Sequence, residues 1–523
     1  MVSSRHGREG TSHNPQQSSE KSDASVVPTC KKSTKSRVTP GESMEGRDAG
    51  NGKSASRNAL RAQDRQSATT PMERIGQRAQ ERKGERFNNL LSHIKVPLLK
   101  EAYNALRKDA APGVDGVTWS EYGEQLDARL LDLQDRVHRG SYHPQPVRRV
   151  HIPKGDGRTR PLGIPSLEDK VVQQAARMLL EPIYEREFLG FSYGFRRGRS
   201  QHGALDALAV AISKKVDWVL DADIRAFFDT IDHAWMQKFI EHRIGDRRMV
   251  HLLMKWVRSG VMEEDGLHEV KEGTPQGAII SPLLSNIYLH YVLDLWAARW
   301  RQREATGDMI IVRYADDVVA GFEHEEDAKR FLDALRARLE MYALSLHPEK
   351  TRLIEFGRYA AGNRKRKGLG KPETFNFLGF TFICAKSRKG HFLLARKSRR
   401  DRVKAKLAEI KVELRSRMHD TIDEQGKWLR QVLTGFFNYH AVPTNSRVLK
   451  IVRLRLSQLW FRTLERRSQR GAMTWDRMDA IAKRWLPQPR ILHPWPMHRF
   501  AVRHPRWEPG AGKPHARICA GGA

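Results

Sequence analysis

Tyr314-Ala315-Asp316-Asp317 lies between two short apolar runs, Met309-Ile310-Ile311-Val312 and Val318-Val319-Ala320-Gly321-Phe322. The flanks read as two buried strands of a hairpin, with the polar tetrad at or beside its turn. Adjacent carboxylates repel one another and are costly to desolvate without a compensating positive charge. A divalent cation supplies that charge directly, and Asp oxygens suit Mg²⁺. A solvated Asp-Asp turn uses the same four residues, so the tetrad needs partners to mean more.

One partner stands upstream, in Trp218-Val219-Leu220-Asp221-Ala222-Asp223-Ile224-Arg225-Ala226-Phe227-Phe228-Asp229. Val219, Leu220, Ala222 and Ile224 predict a short apolar strand that carries Asp221 and Asp223. Two-metal phosphoryl transfer needs carboxylates from separate strands, so that two ions about 3.5–4 Å apart bridge the attacking and leaving oxygens. Asp223, Asp316 and Asp317 form such a set of catalytic and metal-binding candidates. Strand-end aspartates facing water are the plain alternative for Asp221 and Asp223.

The order of motifs resembles that of reverse transcriptases, and in detail the reverse transcriptases encoded by group II introns. Asp223 with Phe228 five residues later, Pro275-Gln276-Gly277, and Tyr314-Ala315-Asp316-Asp317 follow the order of polymerase palm motifs. Ala111-Pro112-Gly113-Val114-Asp115-Gly116, Ile152-Pro153-Lys154 through Arg160-Pro161-Leu162-Gly163-Ile164-Pro165, and Ser192-Tyr193-Gly194-Phe195-Arg196 resemble the fingers motifs. His347-Pro348-Glu349-Lys350-Thr351 and Phe377-Leu378-Gly379-Phe380 match later palm motifs, and Gly435-Phe436-Phe437-Asn438-Tyr439 resembles the maturase domain, domain X.

The resemblance implies an α+β right-hand polymerase with fingers and palm over 86–385 and a helical thumb and domain X over 386–485. A basic aromatic tail follows over 486–523, and 1–85, poor in large apolar residues, reads as a disordered basic N-terminal arm. It also implies roles. Lys154 and Arg160 would clamp the nucleotide phosphates, and Gln276 would reach the nucleotide. Lys350 would act on pyrophosphate as a general acid, or else touch the template. Phe228 would lie under the incoming sugar and exclude a 2′-hydroxyl, selecting deoxynucleotides by a clash. Of the adjacent Phe227 and Phe228, one is expected in the core. The implied cofactor is a pair of Mg²⁺ ions, with Mn²⁺ as a substitute. The implied partners are group II intron RNA, an RNA template, a DNA primer or target, and dNTPs. Many such proteins end in an H-N-H endonuclease with paired cysteines, which is not expected here.

Composition agrees with a nucleic-acid partner. Lys plus Arg number 93 against 61 acids, a formal charge of +32 over 523 residues, and neutralised phosphates release counterions. Three scattered cysteines, Cys30, Cys384 and Cys519, exclude a disulfide framework and a Cys-based zinc finger. The run 278–296 comes nearest to a membrane span, but polar residues interrupt it. A cytoplasmic protein, nucleoid-associated when acting on DNA, is therefore expected, with no membrane partner.

Helical spacing is clear at Leu126, Leu130, Leu133 and Val137, and at Val172, Ala175, Ala176 and Leu179. Gly155-Asp156-Gly157-Arg158 reads as a tight turn, and Arg364-Lys365-Arg366-Lys367 as an exposed basic loop. From 396 to 417, ten Lys or Arg residues surround a stripe of Val403, Leu407, Ile410 and Leu414, which predicts a basic amphipathic helix. Arg399, Arg400 and Lys404 are its candidate phosphate contacts. Beyond Trp428 a second helical pattern includes Val448, Ile451, Val452, Leu456, Leu459 and Trp460. Further on, aromatics interleave with bases, so Arg462 and Arg466 join the nucleic-acid-binding candidates, and about half of the aromatics are expected in the core. A domesticated or defence-associated reverse transcriptase, or an RNA-binding splicing factor without catalysis, remains open beside the intron enzyme.

Overall fold

The computed structural model describes residues 71–503, apart from 83, 154–158, 264–265, 269–272, 274–276 and 468–472. Helices and strands alternate through the first three quarters of that span, and helices alone follow. This is a mixed α and β architecture.

The first sheet is built around β1 (Val147–Pro153) and β2 (Thr159–Ile164), which pair antiparallel with Pro153 opposite Thr159. The Gly155–Arg158 turn expected between them lies outside the described residues. A second sheet begins with β3 (Trp218–Asp223). The short β4 (Val261–Glu263) and β5 (Gly266–His268) return to the first sheet, completing the order β2-β1-β4-β5. β6 (Met309–Tyr314), β7 (Asp317–Phe322) and β8 (Arg352–Glu355) complete the second sheet, antiparallel throughout in the order β6-β7-β3-β8. β9 (Phe375–Phe377), β10 (Phe380–Lys386) and β11 (Phe392–Ser398) form a third.

The β6 and β7 side chains are buried on both faces apart from the two residues flanking the turn, Tyr314 and Asp317. A strand covered on both sides needs an unbroken apolar run rather than alternation, which is what 309–312 and 318–322 supply. Helix Gln201–Ile212 packs on β6, and helix Glu325–Glu340 on β7 and β3. Helices elsewhere bury their own apolar stripes. Leu126–Arg139 buries Leu130, Leu133 and Val137 and ends on Gly140, whose φ of 81° a side chain would strain. Leu167–Tyr184 starts at Ser166, whose hydroxyl accepts from Asp169 N, and buries Val172, Ala175, Ala176 and Leu179 as their spacing predicts.

The run 278–296 that came nearest to a membrane span is core instead. Helix Ser281–Leu289, a π-helical turn His290–Asp294 and helix Leu295–Arg303 follow one another, and the first two are buried among the other elements. Among the described residues no helix is long and apolar enough to cross a membrane.

A second hydrophobic cluster gathers Ile410, Leu414, Leu429, Leu433, Phe437, Leu456, Trp460 and Trp485. They come from helices Arg400–Ser416, Ile422–His440, Ser446–Glu465 and Trp475–Trp485. Full burial of one such side chain stabilises by about 1.5–3 kcal/mol. Gly426 lets the Trp485 ring lie on its helix, since a Cβ there would sit 2.5 Å from the indole. Trp460 Nε1 donates to Gln425 Oε1 at 2.7 Å, so this buried indole is satisfied.

Four expectations change. Helix Pro71–Glu81 buries Ile75 and Ala79, so the packed chain starts before residue 86; residues 1–70 lie outside the described ones. The 364–367 bases belong largely to helix Ala360–Arg366, not to a loop; Arg364 faces Glu373 at 3.8 Å and Lys367 faces Glu355 at the same distance. The basic helix begins at Arg400, since 396–398 end β11; Arg396 is buried against Asp206 at 2.7 Å and is no phosphate contact. Ile451 is exposed, although its neighbours in the helical stripe, Val452 and Leu456, are buried.

Asp206, on helix Gln201–Ile212, also pairs with Arg499 Nε at 2.9 Å, drawing helix Pro496–Arg503 onto the same element. Close by, the His202 ring stacks on His493 with centroids 3.9 Å apart.

Candidate active site

Register brings the three candidate carboxylates to one end of the second sheet. β3 and β7 pair so that Asp223 stands directly opposite Asp317, and Asp316 occupies the turn between β6 and β7. Residues separated by 93 positions in the chain thus meet because two strands share a hydrogen-bond ladder. The turn is tight: Ala315 has φ 56°, a left-handed conformation that non-glycine residues rarely hold.

Crowding leaves its mark on Asp317. Burial, then the charges of Asp316, Asp223 and Asp221, push its carboxyl up to about 7, with Lys350 pulling the other way. Two aspects oppose each other, since the Asp317 side chain reaches solvent although protein atoms crowd most of its surroundings. The carboxylates of Asp316, Asp223 and Asp221 all act in the upward direction. Asp221, two residues along the same strand face, is likewise pushed up to about 6, chiefly by burial, with Arg352 4.0 Å away.

Lys350 brings a cation to Asp223, its Nζ 3.0 Å from Oδ2. Backbone contacts hold the two residues together, because His347 N donates to Asp223 O at 2.8 Å and Asp223 N donates to Thr351 Oγ1 at 3.4 Å. The His347-Pro348-Glu349-Lys350-Thr351 motif therefore wraps the end of β3.

The donor set is all carboxylate, which suits a hard divalent cation. Among the described residues, no three His, Cys, Asp or Glu side chains close around a single point tightly enough to enclose an ion. The raised Asp317 still marks a place where added positive charge is stabilising.

Phe227 and Phe228 lie in a 3-10 turn, Phe227–Asp229, after Ala226 with φ 45°. The strand alternation expected for them does not apply there. Both rings are buried, 5.4 Å apart and edge-on, and Phe227 packs on Tyr288. Gly273, with φ 83°, passes so close that a Cβ would lie 2.7 Å from Phe228 O. Gly277, with φ 114°, would place one 2.4 Å from Gly163 O, so Gly277 itself abuts the end of β2. Lys154 and Gln276 lie outside the described residues. Arg160 lies on β2, opposite Ile152.

The nucleic-acid candidates are spread along the helices. Arg399 is bound to Asp401 at 2.6 Å, which ties up its charge. Arg400 and Lys404 are exposed one turn apart, as are Arg462 and Arg466 on helix Ser446–Glu465 and just beyond its end. Beside Arg462, Phe461 and Trp475 stack at 4.1 Å with rings nearly parallel, and Trp475 is half exposed. Trp460 and Trp485 are core, whereas Trp495 faces solvent. Gly435-Phe436-Phe437-Asn438-Tyr439 docks on the third sheet, with Tyr439 Oη donating to Leu378 O at 2.7 Å.

Reading the sequence for acids and aromatics passed over Arg313, which interrupts the apolar strand immediately before Tyr314. Its side chain is wholly buried with Asp294 and Asn286. An arginine inside an otherwise apolar strand was the available signal, since such a residue must bring buried partners with it.

Residues 152–382 match the reverse transcriptase (RNA-dependent DNA polymerase) family. The chain thus carries a reverse transcriptase domain. It is 32% identical over 304 residues to the group II intron-encoded protein LtrA of Lactococcus lactis subsp. cremoris, covering 55% of this chain and 50% of that one. It is 42% identical over 213 residues to protein YkfC of Escherichia coli strain K12, covering 39% of this chain and 56% of that protein. A mitochondrial nuclear intron maturase 3 from Arabidopsis thaliana is 26% identical over 261 residues, covering 43% of this chain and 36% of its own. The chain spans about half the length of LtrA and YkfC. By sequence it is similar to a group II intron-encoded protein over about half of its length.

Proposed function

We propose that this protein is an RNA-directed DNA polymerase of a group II intron, which also binds intron RNA to assist splicing and supports movement of the intron into DNA. The observation that carries the polymerase reading is the register of β3 and β7, which sets Asp223 opposite Asp317 with Asp316 in the adjoining turn. In this reading the sheet β6-β7-β3-β8 is the palm and the sheet containing β1 and β2 belongs to the fingers. The helices from Arg400 to Trp485 are thumb and domain X.

Asp223, Asp316 and Asp317 would hold two Mg²⁺ ions, or Mn²⁺ in their place. When bound, the ions lower the pKa of the primer 3′-hydroxyl and offset charge on the triphosphate. The remaining work is positioning. Lys350 neutralises Asp223 beforehand and stands ready to donate a proton to pyrophosphate. Lys154 and Arg160 grip the β- and γ-phosphates, and Gln276 meets the nucleotide. Phe228, held by Gly273 and Phe227, presents a rigid edge under the sugar and clashes with a 2′-hydroxyl.

Arg400, Lys404, Arg462 and Arg466 neutralise RNA phosphates, and the Phe461–Trp475 stack offers a face for an unpaired base. The Asp401 partner of Arg399 makes that arginine the weakest of the five contacts.

Extension of a DNA primer on an RNA template with Mg²⁺ and dNTPs tests the reading. Asp316→Ala abolishes extension if it is right. Extension that survives this substitution removes the catalytic assignment. A splicing factor without polymerase activity is the second reading, favoured by the exposed Arg400, Lys404, Arg462 and Arg466, which need no acidic site to meet RNA. Intron splicing that proceeds while the parent protein extends no primer selects it.

A further inference from the structure

Arg313 is the largest charged group with no access to solvent near the acidic turn, and each of its guanidinium protons has a partner. Nε donates to Asp294 Oδ1 at 2.7 Å and Nη2 to Asp294 Oδ2 at 2.6 Å. Nη2 also donates to Ser192 Oγ at 2.8 Å, and Nη1 donates to Asn286 Oδ1 at 3.0 Å. The fifth bond runs from Nη1 to the carbonyl of Ala315 at 2.9 Å. A guanidinium has five N–H donors, so none is left over.

These partners come from three directions. Asp294 is delivered by the π-helical turn His290–Asp294, and Asn286 by helix Ser281–Leu289. Ser192 belongs to an extended segment that also exchanges backbone bonds with Arg313: its N donates to Phe191 O at 2.9 Å, and Tyr193 N donates to its carbonyl at 2.8 Å. That segment continues to Gly194, whose carbonyl accepts from Asn286 Nδ2 at 2.7 Å. Gly194 lies so close under the turn that a Cβ would stand 2.2 Å from Ala315 N. Ala315 is thus gripped from both sides while it holds a left-handed φ of 56°.

We infer that Arg313 is the positioning residue of the 314–317 turn: by holding the Ala315 carbonyl it fixes the left-handed peptide that aims Asp316 and Asp317 at Asp223. The inference rests on the reading of those aspartates as the catalytic acids. Arg313 itself is buried beneath the turn and touches neither primer nor nucleotide. Lysine keeps the charge but has no planar fork to reach Asp294, Asn286, Ser192 and Ala315 together.

Single-nucleotide extension by Arg313→Lys tests this, with template–primer affinity and thermal melting measured alongside. The expected result is a fall in kcat of about 100-fold, the scale of a small misplacement of reacting groups, with template–primer affinity unchanged. Adding Ala315→Gly to that variant restores about fivefold, because glycine adopts the left-handed conformation without strain. A purely structural arginine gives no such rescue. Arg313→Lys that folds and extends at the parent rate overturns the inference, as does a slow variant that Ala315→Gly leaves unchanged. Should Arg313→Lys not fold, Asn286→Ala carries the test: it keeps the ion pair but frees Gly194, and is expected to extend about tenfold more slowly. Parent-rate extension by a folded Asn286→Ala overturns the inference equally. Asp316→Ala separates the two levels, since activity surviving that change refutes the catalytic reading instead.

Discussion

The Lys350 ammonium rests 3.0 Å from the Asp223 carboxylate, joining the turn before β8 to the end of β3 across 127 positions of sequence. The lysine side chain is half exposed and the aspartate about one third, so the pair contributes about 1 kcal/mol of stability or less. Its value lies in chemistry. Lys350→Ala is expected to leave the melting temperature within a few degrees of the parent and to slow nucleotide incorporation at least about tenfold, as loss of a general acid does. A matching loss of melting temperature and rate would assign Lys350 to folding instead.

Phe228 governs sugar choice in the proposed site. Phe228→Val shortens the buried edge while keeping an apolar side chain. The ratio of kcat/KM for a dNTP over the matching rNTP is expected to fall by about tenfold or more, chiefly through better use of the rNTP. Competition between the two nucleotides on one template measures it directly.

The stacked histidines make the contact between helices Gln201–Ile212 and Pro496–Arg503 acid-sensitive. Burial first, then His493, Arg499, Arg396 and His440, hold His202 down to about 3, and neither of its ring nitrogens has a hydrogen-bond partner among the described residues. An unfolded histidine titrates near 6.5, so the unfolded chain takes up the proton first. The contribution is therefore complete above pH ~6.5 and is lost as pH falls from there toward 3. Between pH 7.5 and 5 the expected loss is about 1–2 kcal/mol, read as a falling melting temperature. His202→Phe should flatten that slope.

Arg400 and Lys404 are exposed one turn apart on the same helix. If each neutralises one RNA phosphate, removing either lowers the salt dependence of binding by about one unit in the slope of log K against log salt. Arg399→Ala should change the slope less, because Asp401 already shares its charge. Equal slopes for all three variants would place the RNA elsewhere.

Much of the site was legible from residue order. Unbroken apolar runs on both sides of Tyr314-Ala315-Asp316-Asp317 read as covered strands, and Asp223 stands at the end of a third such run. Pairing register is what sequence does not carry: nothing local states that Asp223 faces Asp317 rather than Val319. The same holds for Arg396, which shares a run of cations with Arg399 and Arg400 yet is buried on Asp206, because the end of β11 points it inward. Phe228 is a candidate by its spacing alone, and its setting in a 3-10 turn is not legible there, since Ala226 gives no glycine-like sign of its positive φ. The Arg313 network draws on three separate elements and a π-helical turn, and local propensity encodes none of these.

Asp206 is shared by two arginines just over a hundred positions apart, Arg396 and Arg499. During synthesis this corner stays unfinished until residue 499 has left the ribosome, long after the acidic turn has emerged. The first 400 residues must therefore wait with one acid half-paired, and a chain stalled or cut before that point would keep a lasting weak spot where helix Gln201–Ile212 should be locked.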